Sequence, residues 1–332
     1  MLSFPDGLTS MPKAIRTDSV NNRTTGLATP GIYYGKPGSV RQQVHDGDTL
    51  NVSPKGNVAV RLLGIDTPEV SFAFPGPTLR FVDLQKDEWN QFLSSPFDEK
   101  WGAYKTMVPA ELRTLIQSKV VGQPGTSHFE HATKATDGFR QVVTDDMRIM
   151  GQDLDSFGYY MNFGFEIMDG FGRFLCLINR DQPDRDKPTR RPPTYNMRLL
   201  QRGLAFPYFI WPNVNPWDRP DSIMQAVIPP GKAKQMAESD SELVMARGHV
   251  KRARANHVGI FDAMDPLLLE PFELRFLSRR ELPSRYVIDL TSDSDRLIHP
   301  HNYFSVPNSE DRLWLPSIYV PLFEKAGWKV DA

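Results

Sequence analysis

The sequence predicts an α+β protein, and three observations carry that expectation. Val58, Val60 and Leu62 alternate through NVAVRLLGI, as a half-buried strand does. The apolar runs YMNFGFEIM and RFLCLIN flank DGFG, the signature of a hairpin. Residues 231 to about 257 set Ala233, Met236, Ala237, Leu243, Val244 and Ala246 among dense charges, a helical pattern. With 40% hydrophobic and 24% charged residues the composition is globular, which excludes a disordered or fibrous chain.

In chain order, residues 1–38 are rich in Thr, Gly, Pro and Asn and read as a loosely ordered arm. Two strand-like runs follow between Val40 and Ile65, VRQQVHDGDTLNV and NVAVRLLGI, linked by the turn residues SPKG. Residues 70–105 are aromatic and proline-rich without a clear period. Pro109 then opens a helix with Leu112, Leu115 and Ile116 on one face. Residues 122–140, polar and glycine-rich, read as an exposed loop, and 180–194 as a loop with basic residues. Met197–Ala205 is a short amphipathic helix stopped by Gly203. Beyond 263 the texture breaks into pieces such as RYVIDL and RLWLPSIYVPLF. The expected division is an arm (1–38), a main domain (39–262) with an insertion at about 70–157, and a C-terminal extension or small accessory domain (263–332).

The chain of 332 residues carries 39 Lys+Arg against 40 Asp+Glu, so a histone-like polycation is excluded while a local basic cleft is not. The single cysteine, Cys176, cannot close an internal bridge and reads as a small buried hydrophobe. No stretch of 18 uncharged apolar residues exists, so no membrane span is expected. The first twenty residues lack the apolar core of a secretory signal. The expected location is the cytoplasm, although a processed secreted form would look the same.

Three separated blocks carry chemistry: Asp46-Gly47-Asp48-Thr49-Leu50, VRLLGIDTPE from Val60 to Glu69, and Asp169-Gly170-Phe171-Gly172-Arg173. Singly, each has a structural reading: a turn, a helix start, a hairpin turn. Together they assemble a parts list. Asp48 and Asp66 are hard oxygen ligands suited to Ca²⁺ or Mg²⁺. Glu69 lies three residues beyond Asp66, where it can orient a water. Arg61 and Arg173 come from different strands, and two guanidinium forks suit a phosphodiester that gains negative charge. These are the components of metal-assisted phosphoryl hydrolysis.

In this order the blocks resemble the staphylococcal nuclease (thermonuclease) family. VRLLGIDTPE is similar to its central signature, and DGFGR to its D-x-Y-G-R hairpin. YNMRLLQRGLAFPYF is similar to its N-x-x-L-V-x-x-G-L-A helix, and the long helix running into Gly259-Ile260-Phe261 to its last helix. Residues 40–69 and 158–262 carry the likeness. The resemblance implies a five-stranded OB-fold β-barrel with three helices and one Ca²⁺ at its mouth, with Mg²⁺ or Mn²⁺ as the less favoured ions. It implies hydrolysis of DNA or RNA by water, leaving 3′-phosphate ends. Carried over by position, Asp48 and Asp66 bind the metal, Thr67 offers its carbonyl oxygen and Asp46 supports the site. Glu69 is the general base or water orienter, Arg61 and Arg173 hold the scissile phosphate, and Tyr208 lies near the bound nucleotide.

The departures are as informative. Between Glu69 and Asp169 lie 99 residues, roughly twice the family's length, and 70 more follow Asp262. Both segments are candidate surfaces for a protein partner or self-association, and the insertion also for a lid or a wall of the cleft. Phe171 stands where the family has tyrosine. Arg190 and Arg191, in a basic run from Arg180 to Arg202, are candidate phosphate contacts. His128 and His131 have H-x-x-H spacing, but without a third ligand they make a poor zinc site. The rival expectation is a non-catalytic OB-fold module that binds nucleic acid or serves an assembly.

Overall fold

The structure is a computed structural model that describes residues 13–18, 23–44, 50–76, 78–102 and 104–331. It is a mixed α+β architecture of many small sheets, and among the described residues no sheet closes into a barrel. Contacts divide the chain into two compact units: Met1–Arg61 with Glu166–Cys176, and Leu62–Phe165 with Leu177–Ala332.

The first unit is built from short antiparallel pairs. Ile15–Asp18 pairs with Arg23–Gly26, Ala28–Pro30 with Val52–Pro54, and Ile32–Tyr33 with Lys36–Pro37. Paired strands therefore occur where a loose arm was expected. Tyr34 and Gly35 both hold positive φ, 52° and 79°, as the two-residue hairpin turn between the last pair requires. The expected strand at Val40 is instead one helical turn, Val40–Gln43. Its cause is local: Ser39 and Gln42 form a reciprocal capping box that satisfies two backbone donors. The DGFGR hairpin tip also belongs to this unit, between the strands Tyr159–Met168 and Phe174–Arg180 that the apolar runs predicted. Cys176 is buried, as expected, and burial pushes its thiol up to about 11.

The second unit is organised by a four-stranded sheet in the order Arg285–Asp289, Arg312–Pro316, Phe206–Ile210, Gly64–Asp66. Phe206–Ile210 runs antiparallel to Gly64–Asp66, with Phe206 opposite Asp66 and Tyr208 opposite Gly64. On its other side it runs parallel to Arg312–Pro316. The C-terminal residues are thus strands of the sheet that carries the DTPE signature.

Strand alternation sends neighbouring residues to opposite faces. Ile65, Phe209, Leu313 and Ile288 enter one core with Leu200, Leu243 and Phe323. Tyr208, Trp314 and Val287 enter a second core. The insertion fills that second core: Leu84, Trp89, Phe92, Leu93, Leu112 and Ile116 are fully buried in it. At ~1.5–3 kcal/mol for each fully buried large apolar side chain, this is a structural wall of the domain. The helix expected after Pro109 is present as Ala110–Lys119, with Leu112 and Ile116 on its buried face.

Residues 122–140 are not a loop. They lie in a 27-residue helix, Pro124–Met150, whose buried face is His128, His131, Ala132, Ala135 and Val142. That stripe has helical spacing but little hydrophobicity, so a search for large apolar residues misses it. Proline in the first turn and Gly151 in the left-handed region at its end bound it. The single helix expected over 231–257 is two, Ala233–Ser239 and Ser241–Ala255, because Asp240 caps the second through the Leu243 amide.

The helix Tyr195–Gln201 ends as predicted near Gly203, which has a φ of +61°. A Cβ at Gly203 would lie 2.2 Å from the Val258 carbonyl oxygen, so this close backbone approach admits only glycine. Among the described residues no helix is long and apolar enough to cross a membrane.

Candidate functional site

Arg61 and Arg173 belong to the first unit, and Asp66, Thr67 and Glu69 to the second. In the first unit, Arg173 is held by its own hairpin. Its Nε donates to Asp169 Oδ2 at 2.7 Å, and its guanidinium lies 5.3 Å from the centroid of Phe171. Asp169 Oδ1 also accepts from the amides of Phe171 (2.9 Å) and Arg173 (3.0 Å), while Gly172 takes a φ of +77° to close the turn. Burial opposes the charge of Asp169, yet these amides and the Arg173 fork hold its carboxyl below the ordinary value. The Arg173 side chain keeps 33% exposure, which leaves donors for an anion. Arg61 is half-buried in the strand Val60–Leu62. Asp46 and Asp48 lie outside the described residues.

In the second unit, the strand Gly64–Asp66 delivers Asp66 to the sheet edge. Its path is fixed by Asn196, which donates to the Leu63 carbonyl oxygen at 2.8 Å and accepts from the Ile178 amide at 3.1 Å. Gly64 takes a φ of +74° in the turn that starts the strand. Asp66 is buried, Thr67 half-buried and Glu69 half-buried. The Glu69 amide donates to His128 Nδ1 at 3.1 Å, so the long inserted helix pins the DTPE segment. Because Nδ1 accepts, the neutral ring carries its proton on Nε2, an assignment that follows from the hydrogen bond. Burial lowers the His128 pKa to about 4, so the ring is neutral at pH 7.

Sequence reasoning missed the principal partner. Arg275, on the helix Pro271–Arg279, grips Asp66 with both arms of its fork: Nη1 to Oδ1 at 2.9 Å and Nη2 to Oδ2 at 2.5 Å. The same Nη1 reaches Glu69 Oε1 at 3.3 Å. Burial works against the charge on Arg275, but Asp66, with Tyr208 and Glu69 behind it, raises the guanidinium above its ordinary pKa.

A second arginine, Arg285, donates to the Tyr208 hydroxyl at 2.7 Å. Both guanidiniums lie within 6 Å of the Tyr208 ring centroid, at 5.8 Å for Arg275 and 5.5 Å for Arg285. Tyr208 itself is buried, stacked on Phe272 and tilted against Trp314. It therefore meets the site through these two arginines. Nothing local in ELRFLSRRE or RYVIDL marks Arg275 or Arg285; their roles arise from pairing across the sheet.

The Pro271–Arg279 helix is anchored by a buried ionic cluster. Glu270 and Glu273 form a capping box at its start, and Glu270 Oε1 accepts from Arg312 Nη1 at 2.8 Å. Lys119 Nζ donates to Glu273 Oε1 at 2.6 Å, and Tyr303 donates to the same carboxylate. Burial raises the Glu273 carboxyl despite Lys119, whereas Arg312 and Lys119 hold Glu270 below its ordinary value against its burial.

The basic run divides in two. Arg180 and Arg198 are structural: both bind Asp146 of the long helix, Arg180 Nη1 at 3.0 Å and Arg198 Nη2 at 2.6 Å. Arg190 and Arg191 stay exposed on the 181–194 loop, where Arg191 Nη2 also donates to the Pro183 carbonyl oxygen at 3.1 Å. His131, the second histidine of the H-x-x-H pair, lies 3.0 Å through Nε2 from the Asp265 carbonyl oxygen.

Asp66 and Glu69 have the donor chemistry for a hard divalent cation, since their oxygens already converge on one positive centre, Arg275 Nη1. Among the described residues no group of three or more His, Cys, Asp or Glu side chains gathers around a common point. Comparisons with protein-family models, with curated proteins and with solved structures find no match.

Proposed function

We propose that this chain is a Ca²⁺-dependent nuclease with a staphylococcal-nuclease-like OB-fold core, hydrolysing phosphodiester bonds of DNA, RNA or both. The observation that carries the reading is the convergence of the Asp66 and Glu69 carboxylates, from the DTPE signature, on a single cationic centre at the sheet edge. The resemblance of the three sequence blocks supplies the reaction class.

In this reading Asp48, Asp66 and the Thr67 carbonyl oxygen would hold the cation, with Asp46 supporting the site. A Ca²⁺ held there would supply Lewis-acid charge stabilisation to the phosphoryl group. Glu69 orients the attacking water and accepts its proton. Arg61 and Arg173 donate to the non-bridging oxygens, whose charge grows in the transition state. Arg190 and Arg191 contact the flanking phosphates. As the water oxygen bonds to phosphorus the P–O5′ bond breaks, the 5′ oxygen takes a proton from solvent and leaves as a hydroxyl, and the phosphate stays on the 3′ side.

The test is incubation of supercoiled plasmid, and of labelled single- and double-stranded DNA and RNA, with protein and Ca²⁺ or with chelator. Scission confined to the Ca²⁺ samples, with 3′-phosphate ends, is the expected result. Intact substrate in both overturns the reading.

The occupation of Asp66 by Arg275 favours a second reading, a non-catalytic nucleic-acid-binding module. It is distinguished by retention of labelled strands with no cutting at any Ca²⁺ concentration.

A further inference from the structure

We propose that Arg275 is a built-in counter-ion of the Asp66–Glu69 pair, which a divalent cation must displace to enter the site. The inference rests on the nuclease reading for the identity of the cation; its premise is the geometry of the pair. Both Asp66 oxygens are engaged by the guanidinium fork, and the nearest oxygen of Glu69 shares one of its nitrogens. The fork takes the inner lone pair of each Asp66 oxygen, the pair a chelated cation would use, and a metal ion on the outer lone pairs would stand against a fixed positive charge. The two occupants therefore compete for Asp66, by shared lone pairs and by like charge.

The competition is intramolecular, and the guanidinium is held ready. Its helix is fixed at its N-terminus by the Glu270–Arg312 and Glu273–Lys119 pairs, and the guanidinium lies beside the Tyr208 ring. Ordering costs for the pair are met in folding, so its effective concentration at Asp66 is high. Release is also feasible. The Arg275 side chain is 15% exposed and the Glu69 side chain 30%, so the pair opens to solvent on the Glu69 side. Asp66, at 4%, stays buried whichever cation neutralises it. Catalysis in this chain is consequently conditional on enough divalent cation to replace an internal one, a threshold set by a residue from beyond position 263.

The test is calorimetric titration of the full chain with CaCl₂, comparing wild type with Arg275→Gln, and a thermal melt of each with and without Ca²⁺. Arg275→Gln is expected to bind Ca²⁺ at least tenfold more tightly and to gain more in melting temperature from Ca²⁺ than wild type does. If Arg275→Gln does not fold without Ca²⁺, Arg275→Lys keeps the charge and loses the fork, and is expected to bind at least threefold more tightly than wild type. Equal affinities in wild type and the folded variant, with Ca²⁺-dependent cleavage by both, overturn the counter-ion role and leave the nuclease reading intact. No Ca²⁺ binding by either protein, with no cleavage, overturns both.

Discussion

Two arginine–carboxylate pairs, one in each unit, use the same chemistry on opposite terms. Arg173 binds Asp169 four residues away, within one turn, with the arginine a third exposed. Arg275 binds Asp66 from 209 residues away, with both partners largely buried. The first pair is assembled by a tetrapeptide loop and depends little on the rest of the protein. The second exists only after a sheet has brought strand Gly64–Asp66 and the Pro271–Arg279 helix together. A local pair leaves its arginine available to a ligand. A buried distant pair makes arginine and carboxylate each other's required partner.

The contrast predicts unequal costs of deletion. Arg275→Ala leaves the Asp66 carboxylate buried without its cation, and such a loss costs ~3–5 kcal/mol of stability. Denaturant unfolding checks it; a change below ~1 kcal/mol would show that the pair contributes nothing beyond a surface contact. Arg173→Ala is expected to act on rate. Removing one preorganised donor to a transition-state oxyanion costs ~2.7–4 kcal/mol, or about 10²–10³-fold in turnover. Single-turnover cleavage measures it, and a wild-type rate would remove Arg173 from the site.

A third carboxylate sharpens the comparison. Glu242 is buried, and its Oε2 has no hydrogen-bond partner among the described residues. Burial, with the Asp240 carboxylate adding to it, pushes its carboxyl up to about 6. The folded chain therefore binds more protons than the unfolded chain between the ordinary Glu value, ~4.3, and about 6. Stability falls as pH rises through that window, and the penalty is complete above it. Glu242→Gln should stabilise the protein by up to ~2 kcal/mol at pH 7, with the gain vanishing near pH 4. Paired melts at the two pH values test this; an equal gain at both would locate the effect elsewhere.

The smallest effect belongs to the local pair. Because Arg173 remains partly exposed, Arg173→Ala should alter stability by ~1 kcal/mol or less. What Asp169 contributes is present above its ordinary pKa and is lost as acid carries the pH down through its lowered folded value.

What the sequence disclosed follows the same division. The DGFGR turn, the strands around it, the helix after Pro109 and the stop at Gly203 are each decided within a few residues, by turn geometry, capping and apolar period. Asp66 and Glu69 stand out because strand alternation and DTPE lie side by side. The Pro124–Met150 helix is hidden because its buried face carries His128, His131, Ala132 and Ala135 with Val142 as its one large aliphatic residue, and alanine packs by allowing close approach rather than by bulk. The capping box at Ser39 overrode a strand-like pattern at Val40. Arg275 and Arg285 carry no local mark, and the H-x-x-H spacing of His128 points to zinc rather than to its actual partner, the Glu69 amide; each becomes relevant only through a partner at least 59 residues away. The C-terminal pieces look irregular one by one and become regular as strands of a shared sheet.

The most direct test is the Ca²⁺ dependence of plasmid cleavage by wild type and Arg275→Gln, measured side by side. The account predicts that both cut, that neither cuts in chelator, and that the variant reaches half its maximal rate at a Ca²⁺ concentration at least tenfold lower. Uncut plasmid with both proteins at every Ca²⁺ concentration would contradict it.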